Sequence, residues 1–103
     1  MGVNVVFVNI DWEISRHASE KSTRKNMKVL HATIAYIVRG MKPTMLCMCE
    51  VGEASKPLNQ RHMKQIAKTI QEAWQCAVTE DVNLKFLFET GAPYMTAYNE
   101  RQV

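Results

Sequence analysis

An α/β chain built as strand-helix-strand-helix-strand is what the sequence predicts, and two kinds of pattern carry that prediction. Two short runs, residues 3–10 and 44–51, are apolar on both alternating faces. Two longer stretches return an apolar residue every three or four positions. With 103 residues, 47% of them hydrophobic, the chain can form one domain around a modest core.

The first run, Val3-Asn4-Val5-Val6-Phe7-Val8-Asn9-Ile10, is dense in β-branched residues, as suits a strand covered on both sides. Residues 15–26 turn polar and charged. Met27, Leu30, Ile34, Ile37 and Met41 then recur at helical spacing, with Gly40 and Pro43 as stop signals. The second run, Thr44-Met45-Leu46-Cys47-Met48-Cys49-Glu50-Val51, is rich in methionine, which a helix also accepts. Pro43 before it and Gly52 after it favour a second buried strand. Residues 52–58 read as a loop, Asn59 is placed as an N-cap, and Met63, Ile66, Ala67, Ile70, Ala73, Trp74 and Ala77 form a second helical stripe. Residues 82–88 predict a third strand, with Leu84, Phe86 and Phe88 on one face and Lys85 on the other. Thr90-Gly91-Ala92-Pro93 ends it, and residues 94–98 can begin a further short strand. The first two strands are expected to run parallel through a right-handed crossover.

The formal charge of +3 is well short of the dense Lys/Arg clustering of a dedicated nucleic-acid-binding module. Three cysteines, Cys47, Cys49 and Cys76, are an odd number without the spacing of a disulfide scaffold, which points to a reducing compartment. The N-terminus has no basic segment ahead of its apolar stretch, and no run approaches the length that spans a membrane. A soluble, intracellular protein is expected.

If the first two strands are parallel, their carboxyl ends lie together, the place where open α/β sheets bind ligands. Asn9 and Asp11 end one strand and Glu50 the other. Magnesium favours such oxygen ligands and needs only one or two protein carboxylates, keeping its other positions for water and phosphate. A carboxylate just past a strand also serves as a solvated end or a helix-capping partner, and spacing does not decide between these roles.

At these residues the sequence resembles the endonuclease/exonuclease/phosphatase superfamily, whose fold is that of deoxyribonuclease I. The stretch Val6-Phe7-Val8-Asn9-Ile10-Asp11-Trp12 resembles the family's first strand, with Asn9 on its asparagine and Asp11 on the aspartate of the apurinic endonuclease branch. Residues 42–51 resemble its Pro-Asp-(apolar run)-Gln-Glu strand, which puts Glu50 on the metal-binding glutamate. Thr44 stands where aspartate is usual, Cys49 where glutamine is usual, and Trp12 where glycine is common. The resemblance implies the N-terminal part of a two-sheet β-sandwich flanked by helices. It also implies magnesium or manganese as cofactor, Glu50 as metal ligand, Asn9 and Asp11 as catalytic residues, and a nucleic acid or other phosphoester as substrate. The family's later Asp-x-Asn and Asp-His pairs are expected beyond Val103. The chain therefore reads as a fragment or degenerate copy of a phosphodiesterase, with the rest of the fold or a self-partner as its complement. The alternative is a non-catalytic interaction domain with the same order of elements.

Other constellations are weaker. Cys47-x-Cys49 lacks a second pair to complete a tetrahedral site, so core packing is favoured. His17, His31 and His62 lack the paired spacing of a zinc helix, and Cys76 has no orienting motif. Arg16, Lys21, Arg24, Lys25 and Lys28 suit a phosphate backbone, but Glu13 and Glu20 interleave with them as on a solvated face. Lys56, Arg61, Lys64 and Lys68 read as the outer face of the second helix. Tyr94 is a candidate for phosphate contact by resemblance alone.

Overall fold

The computed structural model describes residues 2–11, 20–51, 60–88 and 93–102. The elements run β1 (Val5–Asn9), α1 (Glu20–Met41), β2 (Met45–Cys49), α2 (Gln60–Ala77), β3 (Leu84–Phe88) and β4 (Met95–Asn99), followed by a 3-10 turn at Glu100–Gln102. The strands form one sheet in the order β1-β2-β4-β3. β1 and β2 are parallel, with Val6 opposite Leu46 and Asn9 opposite Cys49. β4 is antiparallel to both β2 and β3.

Pleating sorts the strand residues onto two faces. Val6, Leu46, Ala97 and Phe86 lie in one row across the sheet, through the pairs Val6–Leu46, Leu46–Ala97 and Phe86–Ala97. On that face Val6, Leu46, Met48, Leu84, Met95 and Ala97 are buried in one cluster with Leu30, Ile34, Val38, Met63, Ile66, Ile70 and Trp74 of the helices. Both helices therefore cover the same face. α1 turns Leu30, Ile34, Ala35 and Val38 inward, while Tyr36 and Met41 are exposed. α2 turns in Met63, Ile66, Ile70, Ala73 and Trp74.

Among the described residues, no helix or second sheet covers the opposite face. Phe7 is 80% exposed and Leu87 60%, with half-buried Cys47 and Thr96 in the row between them. This corrects the expectation that the first strand is covered on both sides: β1 is an edge strand with one buried face. It also moves Cys47 and Cys49 out of the core, since both are half-buried on the open face. α1 begins at Glu20, so helix extends back through residues 20–26, where the sequence shows only polarity. The expected Asn59 cap lies outside the described residues.

The amino end of the sheet is stitched together by side chains. Asn4 O accepts from Thr44 N at 2.8 Å and Met45 N at 3.2 Å, while Asn4 N donates to Thr44 Oγ1 at 3.1 Å. These bonds satisfy the buried Thr44 hydroxyl. Asn4 Nδ2 donates to Met41 O at 2.6 Å and Lys42 O at 3.2 Å, capping carbonyls at the end of α1. Lys42 takes the left-handed conformation (φ 48°), and its N–H bonds Val38 O at 3.0 Å, a common way for a helix to end.

Gln71 and Gln75, one turn apart on α2, hold the lead into β3. Gln71 Nε2 donates to Val82 O at 2.7 Å, and its Oε1 accepts from Leu84 N at 2.9 Å. Gln75 Oε1 accepts from Val82 N at 2.9 Å, and its Nε2 donates to Glu80 O at 2.8 Å. The two amides thus satisfy four backbone groups at the entry to β3.

Two stability outcomes are expected. Leu46 is fully buried on the central strand, so Leu46→Ala should cost about 2–5 kcal/mol in urea unfolding. Gln71→Ala, which strips partners from two partly buried backbone groups, should cost about 1–3 kcal/mol. Hydrogen exchange at the Leu84 amide should rise with it. An unchanged Leu84 amide would show that the Gln71 bond does not hold β3.

Candidate functional site

The parallel pairing of β1 with β2 sets the geometry of the site. Asn9 is the last residue of β1 and lies opposite Cys49, the last of β2. Ile10 N continues the ladder by donating to Cys49 O at 3.0 Å. Asp11 and Glu50 follow immediately, so the structure brings Asn9, Asp11 and Glu50 to adjoining strand ends at the carboxyl edge of the sheet, all three exposed.

Asp11 (φ 62°) and Glu50 (φ 54°) both adopt the left-handed backbone conformation. Aspartate visits that region readily, whereas glutamate is held there at a cost, a kind of strain that clusters at ligand sites. Asn9 Oδ1 accepts the Asp11 N–H at 2.8 Å, an Asx turn that fixes the turn out of β1. Asn9 is therefore a positioning residue for Asp11. Glu50 has no hydrogen-bond or ion-pair partner among the described residues, so its carboxylate is open to a ligand. Cys49, in the place of the resembled family's glutamine, turns its Sγ to Val8 O at 3.6 Å.

Two further residues reach this end of the sheet. β4 runs antiparallel to β2, with Met48 opposite Met95 and Val51 N donating to Pro93 O at 3.0 Å, which places Tyr94 beside the end of β2, 64% exposed. His62 stands in the first turn of α2 at the same end, half-buried and engaged in an interaction of its own. His31 is half-buried within α1, and His17 and Arg16 lie outside the described residues. Lys25 and Lys28 are exposed on α1, as are Lys64 and Lys68 on α2. Cys76 is exposed.

Asp81-Val82-Asn83 has the spacing of an Asp-x-Asn pair. The chain places it before β3, at the amino end of the sheet, where Gln71 and Gln75 pin Val82. It is thus separated from Asp11 and Glu50 by the length of the strands and does not join their site. No adjacent Asp-His pair occurs in the 103 residues.

Among the described residues no group of three His, Cys, Asp or Glu side chains gathers as a metal cage. Asp11 and Glu50 are two exposed carboxylates on adjoining strand ends. No helix among the described residues is long and apolar enough to cross a membrane. No family model, curated protein or solved structure matches the chain.

The strained glutamate gives a test independent of any ligand. Glu50→Gly should stabilise the fold by about 1 kcal/mol by relieving the left-handed backbone, measured by chemical denaturation. Loss of stability instead would mean that the Glu50 side chain supports the fold.

Proposed function

We propose that this chain carries the N-terminal, metal-binding half of a magnesium-dependent phosphodiesterase or nuclease site of the endonuclease/exonuclease/phosphatase kind, as a fragment or degenerate copy of such an enzyme. The observation that carries the reading is the pairing of Asp11 and Glu50 on left-handed backbone at the ends of the parallel strands. Glu50 is the principal ligand to magnesium or manganese, Asp11 assists it, and Asn9 fixes the turn that presents Asp11. When bound, such an ion neutralises a phosphoester and stabilises charge on its leaving oxygen. Activation of water belongs, in the resembled family, to residue pairs that are not assembled at this end, so the half-site binds without turnover. The uncovered sheet face, with Val5, Phe7 and Leu87 exposed, suits the packing of a second sheet in the two-sheet sandwich that the resemblance implies. Three free thiols suit a reducing, intracellular compartment.

The same open face favours a second reading, a non-catalytic domain that associates with another copy of itself. Phe7, 80% exposed on an edge strand without a charged residue, is the feature behind it.

Isothermal titration of magnesium and manganese into the chain and its Glu50→Gln variant distinguishes the two, with phosphodiester hydrolysis followed in the same samples. Binding that disappears in Glu50→Gln, without turnover, is the expected result. Absence of binding in both would falsify the half-site. Concentration-dependent sedimentation that Phe7→Ser abolishes would then support self-association.

A further inference from the structure

The two edges of the sheet are not alike. β3 carries Lys85, whose Nζ lies 3.9 Å from Glu100 in the turn after β4. A lysine of this kind keeps a strand edge from pairing with another chain. β1 has no charged residue, no proline and no break in its ladder with β2. Among the described residues no strand lies on its other side.

The bonds along β1 fix which way each backbone group points. Asn4 O accepts from Met45 N at 3.2 Å and Ile10 N donates to Cys49 O at 3.0 Å, so Asn4, Val6, Val8 and Ile10 turn their backbone groups to β2. Direction alternates along a strand, and Val5, Phe7 and Asn9 therefore turn both N–H and C=O to the outer edge. Among the described residues nothing meets these outward groups. The side chains of the same residues lie on the open face, Phe7 80% exposed.

The spacing of these groups suits a copy of the strand itself. Phe7 is the middle residue of β1, with Val5 and Asn9 at its two ends. Laid antiparallel against a second copy with Phe7 opposite the partner's Phe7, the strand sets Val5 opposite the partner's Asn9. Every outward N–H and C=O of both copies then falls in a hydrogen-bonded pair. A slide of two residues leaves one end of each strand unmatched. The symmetric register also brings the two Phe7 side chains together as a cross-strand aromatic pair.

We infer that β1 is a pairing edge for a second copy of this chain, joining two four-stranded sheets into one continuous sheet about a twofold axis at Phe7. This pairing rests on the self-association reading and gives that association a surface, an orientation and a register. Asp11 and Glu50 lie beyond the paired residues, so it does not require a metal. A contact of five residues a side is smaller than a standard interface, so the dimer is weak, with a Kd on the order of 100 μM.

The test combines sedimentation with amide hydrogen exchange, both run on the whole chain at about 10 μM and about 1 mM. The expected result is a dimer at the higher concentration, with exchange at the Val5, Phe7 and Asn9 amides slowed about fourfold, as mass action gives at that Kd. The inward Val6 and Val8 amides should slow less. Phe7→Lys sets like charges opposite each other across the twofold axis and should leave only monomer. Phe7 is exposed, and the unfolding midpoint of the variant verifies that it folds. Leu87→Lys, on the open face of the far edge strand, should leave the dimer intact. A chain that stays monomeric at about 1 mM overturns both the edge pairing and the self-association reading. A dimer that survives Phe7→Lys, that Leu87→Lys abolishes, or that slows Val6 and Val8 as much as Phe7 overturns the edge pairing alone.

Discussion

Everything in this fold is organised by the burial of one sheet face. β2 sits between a parallel and an antiparallel neighbour, and its Leu46 and Met48 belong to the one buried cluster that residues of both helices complete. A sheet covered on one side needs helices whose apolar stripes face the same way. Both crossings, β1 to β2 and β2 to β3, supply one. The parallel register that follows from the first crossing is also what lines up Asn9 with Cys49 and sets Asp11 and Glu50 at adjoining ends.

How much of this is legible from the residues depends on what each pattern reports. The α2 stripe and the Leu84, Phe86, Phe88 alternation identify their elements because a buried face imposes a period. Val5 and Phe7 mislead because an apolar side chain records a preference for burial without recording what covers it. Residues 20–26 hide their helix because their polarity gives no stripe. The place of β4 between β2 and β3 has no local signature, since strand order is decided by long-range pairing. Gln71 and Gln75 look like ordinary outer-face residues, and only the return of residues 80–84 past α2 gives their amides partners.

The meeting of Asn9, Asp11 and Glu50 at adjoining strand ends was legible in residue order, but their conformation was not. Asparagine and aspartate at the end of β1 announce a turn, and the Asx bond from Asn9 is the form it takes. Nothing in the sequence announces a left-handed Glu50, because glutamate has no preference for that region.

The bonds that knit the amino end have a consequence for how the molecule opens. Asn4, Thr44, Asn99, Gln71 and Gln75 tie strand starts, helix ends and the entry to β3 into one network, with Asn99 N donating to Thr44 O at 3.0 Å. Release of a strand start at this end therefore also loosens the end of α1 through Asn4, so these elements open together rather than one at a time.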